Sequence, residues 1–235
     1  MPSLDDHKAM IRAVAAAMGP ELRDEVAFVG GCTTALLLTD LYTKQQVRHT
    51  DDVDLIVHVL SFPHWTQLLE RLRDKGFRED MTEDGHISSM FLGGLRVDFM
   101  PDDESILECG NAWYRDALER AELHDVGGGT EVKIVRPEHF LATKLAAYRS
   151  RGNNDPLESN DVEDILTLID GRAEIVNEVL AAERDMRAYV SEQLHALQRH
   201  RDFEYAVASA SNGDPAREEV IHKRVGTIVS FGGLA

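Results

Sequence analysis

The sequence predicts an α+β protein: a mixed sheet with flanking helices over residues 1–128, a mostly helical region over 129–200, and a tail of weak periodicity over 201–235. Three observations lead there. From Val26 to Val59 a short apolar run, two glycines, a helical stretch and a run alternating every second residue succeed one another, the pattern of strand, helix and strand. Ile87 to Leu92 and Leu95 to Met100 flank Gly93-Gly94, a two-residue hairpin turn. Beyond Pro137 the apolar residues recur at the helical period.

Composition narrows the function classes. With 235 residues, 43% of them apolar, the chain can form one domain or two small ones. No apolar run approaches the roughly 20 residues of a spanning helix, and the first residues lack the basic and apolar blocks of a secretory leader. A cytoplasmic protein with no membrane partner is expected. Cys32 and Cys109 are too few for a disulfide framework. Acids outnumber bases 42 to 25, for a formal net charge of −17. That balance argues against a broad nucleic-acid face, though not against a local basic channel or a basic partner.

In chain order, residues 4–18 are helical by spacing, with Gly19-Pro20 as a stop. Val26 to Val29 form a strand that ends in Gly30-Gly31 and opens into a helix, whose first N–H groups and dipole attract phosphate. In the next strand Val53, Leu55, Val57 and Val59 face one side; Asp52, Asp54 and Ile56 face the other. Two acids on one face are awkward unless water or a cation screens them. A helix over 63–75 carries Trp65, Leu68, Leu69 and Leu72, and the polar stretch 82–85 interrupts the strand after it. In the second strand of the hairpin, Arg96 and Asp98 face away from Leu95, Val97 and Phe99. Asp98 alone reads equally well as an exposed acid on an edge strand. A helix over 111–123 follows, then Gly127-Gly128-Gly129 as linker or turn, the expected domain boundary.

Pro137-Glu138 opens a helix with proline at its first position and an acid in its first turn. Lys144 falls inside its apolar face, one turn from Phe140 and Tyr148. A lysine there needs an acid or anion, or must snorkel at the rim. The next helix starts near Ser159 or Asn160, with Asn160 and Glu163 as a capping box. Asp161 lies on the side of Ile165 and Leu168, and also reads as an ordinary first-turn acid. Residues 173–199 form one further amphipathic helix, and Ile228-Val229 a small strand or loose tail. There is no zinc-ligand spacing, no Walker or dinucleotide fingerprint and no Gly-x-Ser-x-Gly.

The string Gly30-Gly31, then Arg48-x-Thr50-x-Asp52-x-Asp54, resembles the signature of the nucleotidyltransferase superfamily that includes DNA polymerase β, and within it the AbiEii branch of abortive-infection and toxin–antitoxin enzymes. Val97-Asp98-Phe99-Met100-Pro101 resembles the strand of its third carboxylate. Pro137-Glu138-x-x-Leu141-x-x-Lys144-Leu145-x-Ala147 and Asp161-x-x-Asp164-Ile165 resemble its later strings. The resemblance covers about residues 26–170. The superfamily usually has serine after the second glycine; here Cys32 follows, a weak donor, with Thr33 and Thr34 as nearby hydroxyls.

The resemblance implies a nucleotidyltransferase-like fold and transfer of NMP from an NTP to an acceptor hydroxyl, with release of pyrophosphate. It implies Asp52, Asp54 and Asp98 as ligands of Mg²⁺ (or Mn²⁺) and Gly30, Gly31, Cys32, Thr33 and Arg48 around the nucleotide. Lys144 would neutralise the triphosphate, and Asp161 would fix Lys144 or position the acceptor. The AbiEii branch implies a growth-inhibiting toxin, with tRNA as acceptor and an antitoxin protein as partner. A small-molecule acceptor, as in aminoglycoside nucleotidyltransferases, is the nearest alternative. Protein nucleotidylation and a catalytically silent, nucleotide- or partner-binding member are the others.

Overall fold

The computed structural model describes residues 4–79, 87–107, 110–151 and 154–232. Cys109 and the polar stretch 82–85 lie outside them. In chain order the elements are α1 (Leu4–Asp24), β1 (Val26–Val29), α2 (Gly31–Leu37), α3 (Leu41–Gln46), β2 (Asp52–Val57), α4 (Phe62–Asp74), β3 (Arg78–Glu79), β4 (Ser89–Leu92), β5 (Leu95–Pro101), α5 (Tyr114–Glu119), β6 (Glu122–Asp125) and β7 (Glu131–Ile134). Six helices complete the chain: α6 (Pro137–Arg151), α7 (Asn160–Gly171), α8 (Ile175–Ala181), α9 (Arg184–Gln198), α10 (Phe203–Ala210) and α11 (Pro215–Gly232). The protein is α+β with a mixed sheet of seven strands. No helix among the described residues is long and apolar enough to cross a membrane.

Contacts divide the chain into two units, residues 1–33 with 48–136, and 34–47 with 137–235. The first holds the sheet, in the order β3-β4-β5-β2-β1-β7-β6. β2 runs antiparallel to β1 and parallel to β5. Val53, Leu55, Val97 and Phe99 are fully buried on the apolar side, where Phe99 meets Phe77 edge-on at 5.5 Å. On the acid-bearing side of β2, Asp52 and Asp54 are half-buried but Ile56 is wholly enclosed. The open part of that face is therefore its first half. α1 packs against β1 and β7, and α4 buries Trp65, Leu68, Leu69 and Leu72 behind the Ser61 cap.

Several boundaries differ from expectation. The first helix does break at Gly19-Pro20, where Gly19 takes a non-helical φ of 76°, but Pro20 then opens a second segment running to Asp24 that the spacing does not predict. The helix expected over 111–123 shrinks to α5, because Glu122–Asp125 pair with β7 as an edge hairpin. Gly127 to Gly129 make that hairpin's turn, so the sheet continues past the boundary expected there and its unit runs on to Arg136.

The second unit is helical. The first nine residues of α6 are all buried, so this stretch is enclosed on every side rather than amphipathic. Ser159, not Asn160, caps α7, its hydroxyl accepting from Val162 N at 3.3 Å. The helix expected over 173–199 is two, α8 and α9, parted by extended backbone at Ala182 and Glu183. The tail is ordered as α10 and α11. Ile228, expected in a small strand or loose tail, is buried on α11 with Ile221 and Val225, a seven-residue helical spacing that weakly periodic flanks obscure.

Candidate metal centre

Parallel pairing of β2 and β5 sets Asp52 opposite Arg96 and Asp54 opposite Asp98. Strands in a sheet lie about 4.8 Å apart and alternate their side chains, so these four residues share one face. Asp52, Asp54 and Asp98, each half-buried, offer one carboxylate oxygen apiece within 4.8 Å of one another. Three carboxylates at that spacing repel unless a cation or protons neutralise them. An all-oxygen donor set is the kind that a hard divalent cation takes, and a metal ion fits these residues.

Two of the carboxylates are tied down by hydrogen bonds within the sheet unit. Thr50 Oγ1 donates to Asp52 Oδ1. Ser89 Oγ donates to Asp98 Oδ1 at 2.6 Å, and Arg96 Nε donates to the same oxygen at 3.0 Å. Arg96 Nη2 closes the triangle by donating to Ser89 Oγ at 3.0 Å. Asp54 stands opposite Val29 at the end of β1, where the chain turns through Gly30 with φ 80°. A Cβ at Gly30 would overlap the Asp54 carboxylate, and one at Gly31 would lie 2.6 Å from Arg48 Nη2. Only glycines let the backbone pass this close to both groups.

The side chains after the glycines turn inward. Cys32 Sγ donates to Val29 O at 3.5 Å and Thr33 Oγ1 to Gly30 O at 2.9 Å, both fully buried. Thr34, counted with the helical unit, donates to Asp164 Oδ1 at 3.4 Å. What the corner offers beside the carboxylates is therefore backbone and the Arg48 guanidinium.

Lys144 and Asp161 meet within the helical unit. Lys144 Nζ lies 3.0 Å from Asp161 Oδ1 and 2.7 Å from Asp164 Oδ2, with the Phe140 ring 5.7 Å away. All three charged side chains are at least nine-tenths buried, and Arg151 Nε adds a contact to Asp161 Oδ2 at 3.4 Å. Two carboxylates thus answer the one ammonium that burial would otherwise penalise.

Sequence reasoning gave no role to Ser89, Arg96 or the hydroxyl of Thr50. A signal for two of them was there. Counting back from the Gly93-Gly94 turn pairs Leu92 with Leu95 and, three steps on, Ser89 with Asp98, while Arg96 sits two residues from Asp98 on the same face. In comparisons with known proteins, no family model matches the chain and no curated protein matches it either.

Proposed function

We propose that the chain is a Mg²⁺- or Mn²⁺-dependent nucleotidyltransferase that moves NMP from an NTP to an acceptor hydroxyl. The observation that carries the reading is the meeting of Asp52, Asp54 and Asp98 on two adjacent strands, next to a glycine corner that keeps a guanidinium against the backbone. Bound divalent cations would supply charge neutralisation and in-line orientation of the reacting oxygens. The chain's own groups do the rest. Arg48 and the backbone at Gly30 and Gly31 take the polyphosphate, and Asp98 accepts the proton that the acceptor hydroxyl gives up. The acceptor oxygen bonds to the α-phosphorus as the bond to the β-phosphate oxygen breaks, and that electron pair leaves with pyrophosphate. The AbiEii-type resemblance extends this to a growth-inhibiting toxin acting on tRNA, with an antitoxin as partner.

The test is incubation of the full chain with a cell extract, Mg²⁺ and each α-labelled NTP. Label should pass to an acceptor, and tRNA is the first to examine; Asp54→Ala should transfer none. Undiminished transfer by Asp54→Ala, or no labelled species with the wild-type chain, overturns the reading.

A further inference from the structure

Among the three acids of the sheet face stands one cation that the proposed chemistry leaves without a role. Arg96 is the register partner of Asp52 and lies two residues before Asp98 on the same face. Its Nε reaches Asp98 Oδ1 and its Nη2 reaches Ser89 Oγ, each at 3.0 Å. Both side-chain bonds to Asp98, one from Arg96 and one from Ser89, fall on Oδ1. Oδ2 carries no bond among the described residues. The guanidinium is thus placed to orient the carboxylate while partly neutralising it.

We propose that Arg96 is the built-in counter-ion of this site, a positioning residue that fixes Asp98 and competes with a divalent cation for it. The inference rests on the metal-site reading above. A guanidinium bonded to one ligand and facing another lowers the negative potential that draws a cation in. Without it, three like charges would crowd one sheet face in the metal-free protein. Arg96 therefore stabilises the empty site and weakens cation binding to it. Its side chain is 42% exposed, so replacing it leaves no cavity in the core.

The experiment is a Mn²⁺ titration of the full chain in the absence of nucleotide, with free Mn²⁺ read by electron paramagnetic resonance. The proteins are wild type, Arg96→Gln, Arg96→Lys, Asp54→Asn and the double variant of Arg96→Gln with Asp54→Asn. Arg96→Gln should bind Mn²⁺ roughly tenfold more tightly, as loss of one nearby unit charge facing a divalent ion predicts. Arg96→Lys should stay close to wild type, and Asp54→Asn should abolish the tight class in either background. A merely structural arginine would not give tighter binding when removed. Asp54-dependent binding that Arg96→Gln leaves equal or weaker overturns the counter-ion role alone. No Asp54-dependent binding in wild type or Arg96→Gln overturns the metal site and this inference with it.

Discussion

Asp54 on β2 and Asp98 on β5 are register partners in a parallel pair, so two carboxylates rise from the same level of one sheet face. Their neighbours on the other face, Val53, Leu55, Val97 and Phe99, are wholly buried. That burial fixes which way the acids point: a one-residue slip in either strand would put a carboxylate in the core and an apolar side chain in its place. The acids are close because the core demands it.

Gly30 tests how tightly this corner is built. Gly30→Ala would have to hold alanine at φ 80° and fit its methyl into space that the Asp54 carboxylate occupies. The backbone conformation alone costs an L-residue about 1–2 kcal/mol, and displacement of Asp54 adds to it. Urea denaturation should show a loss of about 2 kcal/mol or more, with Mn²⁺ binding lost in the protein that remains folded. Wild-type stability and Mn²⁺ affinity in Gly30→Ala would refute the close approach.

Lys144 should matter to stability independently of any chemistry. Lys144→Met leaves Asp161 and Asp164 buried without their ammonium, and breaking a buried pair from one side costs about 3–5 kcal/mol. Adding Asp164→Asn to Lys144→Met should recover part of that loss, because it removes the buried charge left behind. Denaturant melts of the single and double variants measure both. A cost under about 1 kcal/mol for Lys144→Met would mean that the cluster is hydrated.

Much of the sheet unit is legible in local pattern. Alternation at Asp52 to Val57 and the turn at Gly93-Gly94 give two strand faces and their acids directly. The parallel register between β2 and β5 is not legible, since about forty residues separate partners whose match is set by packing rather than by a turn. Local pattern misleads where an edge hairpin takes over, as at Glu122–Asp125, whose strand exists only because β7 pairs with it. In the helical unit, Lys144 stood out as a charge in an apolar stripe, but its second partner, Asp164, follows from how α6 and α7 pack.

Cys32 occupies a position where the resembled superfamily usually has serine, and its thiol faces inward to Val29 O. Serine can make the same bond from the same rotamer, so Cys32→Ser should change stability by less than about 1 kcal/mol. Nucleotide affinity should not move either, because the side chain at 32 is fully buried. Isothermal titration of ATP in the presence of Mg²⁺ checks this. A large gain in affinity for Cys32→Ser would show that residue 32 reaches the phosphates and that the inward rotamer is not the one used.

Asp40 carries the clearest pH signal in the helical unit. It caps α3, accepting from Thr43 N at 2.8 Å and from Thr43 Oγ1 at 2.7 Å, and it pairs with Arg217 of α11 at 3.0 Å. The backbone and hydroxyl bonds from Thr43, against the penalty of burial and with lesser help from Arg217, hold its carboxyl below the usual 3.8. A lowered folded-state value means that the ionised cap contributes stability above the unfolded value, lost as pH falls through the folded one. Asp40→Ala should therefore cost about 1 kcal/mol near neutral pH, and the difference from wild type should shrink only below about pH 4. Asp40→Asn keeps a capping oxygen but not the charge, so it should lose less, and its smaller deficit should close over the same acidic range. Denaturant melts from pH 3 to pH 7 measure all three proteins. A difference between wild type and Asp40→Ala that persists undiminished to pH 3 would mean that the carboxylate charge contributes nothing, and that Thr43 is satisfied equally well by the protonated acid.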